Sequence, residues 1–332
     1  MLDAGKTAVS IIASYKAVKS GYQVAIMAPT AILAKQHLEN FRNILQNFNI
    51  KCGLLVSGMP KKQKEDILTK LKEGQIDIII GTHALLEDNV EFKNLGFVVT
   101  DEQHRFGVRQ RAKLNNKGTN PDVLVMTATP IPRTLALILY GDLDISIINE
   151  LPPNRQKVDT FAVTKGMEER VNNFIKEQIK EGRQAYIVCP LVEESEEIEA
   201  KSVLELAQKY KTETFSGYNV EYMHGKLKPA EKDDIMERFK NKEIDILIST
   251  TVIEVGVDVP NANIIVIENA ERFGLATLHQ LRGRVGRGKY KSYCILKYQG
   301  NTEVIKERMN IMTKTNDGFI ISEKDLELRG SG

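Results

Sequence analysis

Short apolar runs alternate with amphipathic stretches along this chain, and the alternation happens twice. That pattern leaves few options. Strands buried on both faces must be joined by helical crossovers, so the chain builds parallel sheets from βαβ units. In the first half the spacing predicts strands over 23–28, 77–80, 97–100 and 123–127, with helices over 31–48, 61–73 and 133–140. The helix over 31–48 shows Ile32, Leu33, Gln36, His37, Asn40 and Phe41 at helical spacing. In the second half strands are expected over 184–190, 220–223, 245–249 and 264–268, and helices over 168–181, 202–211 and 229–241. Pro152-Pro153 breaks the chain between the halves. The expectation is an α/β protein with one domain over 1–150, a second over 155–300 and a helical extension over 301–332.

Composition narrows the function classes. Lys and Arg number 46 against 44 acids, a net charge of +2, so any surface for nucleic acid must be local. Cys52, Cys189 and Cys294 are scattered without zinc spacing and read as reduced thiols. No run approaches the roughly 20 apolar residues of a membrane helix, and the start lacks a signal-peptide pattern. A soluble, cytoplasmic protein is expected.

Asp101-Glu102-Gln103-His104 follows the apolar run 95–100, at the end of a buried strand. A carboxylate pair there can hold Mg²⁺ and align water against a phosphate, or simply cap a turn. Gly5-Lys6-Thr7 opens a helical stretch and matches the tail of a phosphate-binding loop, where amides cradle phosphate, the lysine reaches its outer oxygens and the threonine ligates Mg²⁺. A lone match of this kind is weak, and it is incomplete. The pattern needs a glycine one position before Met1, and Asp3 would repel phosphate.

Thr127-Ala128-Thr129-Pro130 ends the next strand, where Thr127 and Thr129 could couple hydrolysis to a second surface. Thr250 through Asp258, with Gly256, follows a second-half strand and permits close approach to a sugar or phosphate. Gln280-Leu281-Arg282-Gly283-Arg284-Val285-Gly286-Arg287 supplies arginines for phosphate charge or for a plain basic patch. Arg284 and Arg287 share a face if that segment is helical. Pro29-Thr30, Ser57-Gly58 and Gly81-Thr82-His83 are polar turns after strands, suited as a set to a nucleic-acid backbone. Arg105, Arg109, Arg111 and Lys113 add a local basic segment. Of the histidines only His104 lies in a motif; His37 and His279 read as packing or surface residues.

Together these motifs resemble the superfamily-two helicases. The runs 101–111 and 127–134, Ala270-Glu271-Arg272-Phe273-Gly274-Leu275, residues 279–288 and Thr315-Asn316-Asp317-Gly318-Phe319 resemble the RecG family in particular. The Mfd translocases are similar, but usually carry a second glutamate where this chain has Gln103-His104. The resemblance implies two RecA-like lobes with ATP in the cleft between them. Lys6 and Thr7 would hold phosphate and Mg²⁺, with Gly5 in the same loop; Asp101 would hold Mg²⁺, and Glu102 would activate water. Gln103 and His104 complete the acid box. Arg284, Arg287 and Gln280 would act from the second lobe, with Gly256 and Asp258 at the nucleotide. Pro29, Thr30, Gly58, Thr82 and Thr250 would bind DNA. Residues 301–332 resemble part of a helical translocation motif. The family implies ATP-driven action on branched or forked DNA, as a monomer, with a single-strand binding protein as a candidate partner. The family's amino-terminal wedge domain does not occur in these residues. The rival readings are an Mfd-like duplex translocase and an inactive fragment that only binds DNA or a partner.

Overall fold

The computed structural model of the chain describes residues 5–102, 106–127, 143–148, 156–190, 204–250 and 259–329. They fall into two compact units, each built on one parallel sheet. The first unit runs α1 (Lys6–Lys19), β1 (Gln23–Met27), α2 (Ala31–Leu45), β2 (Cys52–Leu55), α3 (Lys61–Lys72), β3 (Ile78–Gly81), β4 (Leu95–Asp101), α4 (Val108–Asn115) and β5 (Asp122–Met126). Its strands lie in the order β2-β3-β1-β4-β5. The second unit starts with β6 (Val158–Val163), α5 (Glu168–Lys180) and β7 (Gln184–Val188). It continues through β8 (Val220–Met223), α6 (Pro229–Lys240), β9 (Ile246–Ser249), β10 (Ala262–Ile267), α7 (Leu275–Arg282) and β11 (Ser292–Lys297). Helices α8 (Glu303–Lys314) and α9 (Gly318–Arg329) close it, and its strand order is β6-β11-β10-β7-β9-β8.

Burial follows the period of each element. Along β1, Val24 and Ile26 join Ile11 of α1 and Phe41 of α2 on one face. The intervening Ala25 and Met27 join Leu71 of α3 on the other. Every residue of the strand is therefore covered, which is why it reads as an unbroken apolar run. Helix α2 turns Ala34, His37, Leu38, Phe41 and Leu45 to the core. Of the stripe expected from sequence, His37 and Phe41 are buried on that face and Leu33 packs partly buried against the same core.

The two units repeat one another down to single hydrogen bonds. In each, a glutamine opens the central strand and locks the chain beneath it. Gln23 Nε2 donates to the carbonyls of Leu71 and Ile76, both at 2.8 Å. Gln184 Nε2 donates to those of Phe239 and Ile244, at 2.6 and 2.7 Å. Asn94 and Asn261 each donate from Nδ2 to a glycine carbonyl, of Gly21 and Gly182. Asp77 and Asp245 each accept a backbone N–H, from Lys51 and Asn219. With β6 set aside, the second sheet's order β11-β10-β7-β9-β8 is that of the first.

Several elements escaped the sequence reading: β2, β6, β11, α4 and α7. Strands β2 and β6 are sheet edges, partly exposed and so less apolar; β2 also contains Gly53. The helix expected over 133–140 lies outside the described residues. Met309 and Met312 of α8 and Ile321 of α9 are buried with Leu275 and Leu278 of α7, so the carboxyl-terminal helices share the second unit's core.

Candidate nucleotide site

The first unit gathers its chemistry at the carboxyl ends of β1, β4 and β5 and the start of α1. Gly5 is the N-cap of α1, at φ +85°, a conformation open to glycine at no steric cost. Among the described residues no side chain caps this terminus, and no acid occupies its first turn. Its leading N–H groups and the helix dipole thus form a ready anion site. Lys6 is the first helical residue; its Nζ lies 3.8 Å from Glu102 Oε1, with both side chains largely covered. Thr7 follows, half-buried.

Asp101 is the last residue of β4 and is only 8% exposed. Its Oδ1 accepts the Glu102 N–H at 3.0 Å, and its Oδ2 lies 3.0 Å from His37 Nε2. Burial pushes this carboxyl's pKa upward, but the His37 hydrogen bond, the Lys6 charge and the Glu102 amide outweigh it and hold the pKa low. Asp101 is therefore an anion at neutral pH. Glu102 sits at φ +51°, left-handed backbone that costs a non-glycine residue roughly 1 kcal/mol or more and clusters at functional sites. That turn directs its N–H back to Asp101.

Sequence reads His37 as a packing or surface residue; the structure buries it on the core face of α2 and adds a contact with Asp101. A signal was present: a polar ring on the core face of an amphipathic helix needs a buried partner. Thr127 follows Met126, which pairs in register with Asp101. Gln103, His104, Thr129, Gly256 and Asp258 lie outside the described residues.

In the second unit Gln280 is half-buried on α7. The helix ends at Arg282, so Arg284 and Arg287 do not share a helical face. Arg284 is buried at 7% exposure, and Arg287 Nε donates to Gly283 O at 3.5 Å. Gly286 takes φ +84° where a Cβ would come within 2.9 Å of Val158, so the segment is pressed onto β6. Arg282, which sequence reasoning had not singled out, donates from Nη1 to the carbonyls of Met312 and Thr315, each at 2.8 Å. Its Nη2 meets His279 Nδ1 at 3.0 Å, which gives that histidine a packing role.

The expected nucleic-acid turns also lie at strand carboxyl ends. Thr30 caps α2 by accepting the Leu33 N–H, beside half-buried Pro29. Gly58 is exposed at φ +82°. Thr82 and Thr250 occupy equivalent places after β3 and β9 but are 4% and 0% exposed, with hydroxyls that have no hydrogen-bond partner among the described residues. The exposed polar pair at this end is instead Ser57 Oγ and His83 Nε2, 3.1 Å apart.

As to ligands, Asp101 could hold a divalent cation. Among the described residues no three His, Cys, Asp or Glu side chains form a metal cage. One carboxylate beside a phosphate cradle suits Mg²⁺, which is usually bound through one or two carboxylates and substrate phosphates. No helix among the described residues is long and apolar enough to cross a membrane.

Comparison with known proteins finds helicase domains in both halves of the chain. The DEAD/DEAH box helicase family matches residues 4–138, and the helicase conserved C-terminal domain matches 167–289. The ATP-dependent DNA helicase RecG of Bacillus subtilis is 53% identical over 329 residues, covering 99% of this chain and 48% of that protein. The chain spans about half the length of the curated relatives it matches. A solved structure of RecG bound to a three-way DNA junction superposes with a TM-score of 0.83 at 47% identity, over 99% of this chain and 43% of that one. Saccharomyces cerevisiae Dbp5 bound to RNA and ADP BeF3 shares the fold, with a TM-score of 0.68 at 20% identity over 98% of this chain and 86% of that one. The chain thus carries a DEAD/DEAH box helicase domain followed by a helicase C-terminal domain, and over nearly its whole length it is similar to the RecG helicases.

Proposed function

We propose that the chain carries the motor of an ATP-dependent DNA helicase that acts on branched DNA, reversing forks and migrating junctions in recombination and repair. The observation that carries this reading is the trio at one sheet end: Lys6 at the open start of α1, Glu102 3.8 Å from its Nζ, and the anion Asp101 beside them. The likeness to a RecG protein solved on a three-way junction supplies the substrate class.

In this reading the first-turn amides of α1 and Lys6 bind the triphosphate, and Lys6 exchanges Glu102 for phosphate oxygens. Asp101 and Thr7 hold Mg²⁺, which when bound neutralises charge on the phosphates. Glu102 takes the proton of the attacking water, with Gln103 and His104 alongside. Arg284 and Arg287, with Gln280, are the cations for charge developing in the transition state. Gly256 and Asp258 contact the nucleotide. Pro29, Thr30 and Gly58 follow the DNA backbone, while buried Thr82 and Thr250 do not reach it, and Thr127 and Thr129 couple the two functions.

Fluorescence anisotropy tests the substrate class, using a labelled three-way junction and a linear duplex of equal length with a non-hydrolysable ATP analogue. Tighter binding to the junction by tenfold or more is expected. Equal affinity for the two would contradict the branched-DNA assignment.

A further inference from the structure

Asp101 is held by a residue from another helix. His37 is 6% exposed on the core face of α2, between Ala34 and Phe41, both wholly buried. Its Nε2 stands 3.0 Å from Asp101 Oδ2. An ionised carboxylate only accepts hydrogen bonds, so Nε2 carries the proton and donates. With the Glu102 amide on Oδ1, both oxygens of Asp101 are fixed by donors from two directions. The donor itself cannot drift: α2 is anchored by the Thr30 cap at its start and by Leu38, Phe41 and Leu45 beyond His37.

We infer that His37 is a positioning residue that aims the Asp101 carboxylate at its cation. The inference rests on reading Asp101 as the magnesium carboxylate of the nucleotide site. A histidine placed here only for packing could be replaced by a leucine of similar bulk without consequence for the site. A histidine that orients a metal carboxylate could not, because removing such outer partners typically costs about 10–100-fold in metal affinity or activity. A glutamine, whose amide reaches nearly as far as Nε2, should serve in its place.

The test is a titration of Mg²⁺ at fixed fluorescent ATP analogue on the full chain, in the parent, His37→Leu, His37→Asn and His37→Gln, with a parallel binding curve in EDTA. The leucine variant should need about tenfold more Mg²⁺ for half-saturation while its metal-free nucleotide affinity stays within about twofold of the parent. The glutamine variant should restore the parent midpoint. The asparagine amide stops short of Oδ2, so that variant should shift like leucine and stands in for it should leucine prevent folding, as judged by circular dichroism. A leucine or asparagine midpoint within twofold of the parent would overturn the inference, as would equal shifts in glutamine and leucine. A parent that binds nucleotide with no dependence on Mg²⁺ would overturn the underlying reading of Asp101 instead.

Discussion

Gln23 offers a direct test of what holds the first unit together. The side chain is 6% exposed and makes four hydrogen bonds to backbone. Nε2 donates to Leu71 O and Ile76 O, and Oε1 accepts from Lys93 N and Asn94 N at 2.8 and 3.0 Å. It thereby closes the turn that follows α3 and the segment that leads into β4. Gln23→Leu keeps the side chain's bulk and removes all four partners at once. At about 1 kcal/mol for each net hydrogen bond, the loss is about 4 kcal/mol, a large share of the 5–15 kcal/mol typical of a domain. With two units, one unfolding midpoint would mix two transitions, so the readout is hydrogen exchange resolved by segment. Protection in β1 and β3 should fall roughly a thousandfold while the second unit keeps its protection. Gln184→Leu, which releases the carbonyls of Phe239 and Ile244 and the side-chain amide of Asn261, should cost about 3 kcal/mol, or roughly 150-fold in protection of β7 and β9. A fall below tenfold in β1 for Gln23→Leu would refute the lock, and so would an equal fall in both units.

Glu102→Gln should retain nucleotide binding and lose turnover by about 10²–10⁴-fold, since Asp101 survives while the general base does not; unchanged steady-state hydrolysis would remove Glu102 from that role. Burial pushes the thiols of Cys189 and Cys294 up to about 12 and that of half-buried Cys52 up to about 11. At pH 8 a chromogenic disulfide should therefore label Cys52 first and the other two only on unfolding, and rapid native labelling of Cys294 would contradict its burial. Because the folded Asp101 carboxyl titrates below the ordinary carboxylate range, its contribution to stability is full at neutral pH and fades as the pH falls through that low value. Asp101→Asn should consequently flatten the acid limb of a stability-against-pH curve, and an unchanged limb would deny the interaction. DNA affinity should fall linearly with salt on logarithmic axes and differ little between sequences, a pattern that strong base preference would break.

The central strands were legible because they are covered on both faces. Val24 through Met27 and Ile78 through Ile80 leave no polar position for an alternative period. Edge strands blur that signal: β6 exposes Phe161 at 50% and mixes Asp159 and Thr160 into its pattern. The acid pair was legible as well, since Asp101 ends a buried strand and two carboxylates there are costly without a role. What could not be read was the partner of that pair. His37 lies 64 residues from Asp101 in sequence, and only the packing of α2 against the strands of the first sheet brings the ring to the carboxylate. The same limit applies to Arg282, whose four partners come from β6, α7 and the region closing α8. Nor could sequence show that Thr82 and Thr250 would be buried, because a threonine after a strand reads alike whether its hydroxyl faces water or core.

ATP turnover with and without forked DNA, on the chain itself and on Lys6→Ala and Glu102→Gln, tests the motor reading most directly. Turnover stimulated by the fork and abolished in both variants is the predicted result. Turnover absent under all conditions, or present and indifferent to Lys6 and Glu102, would contradict it.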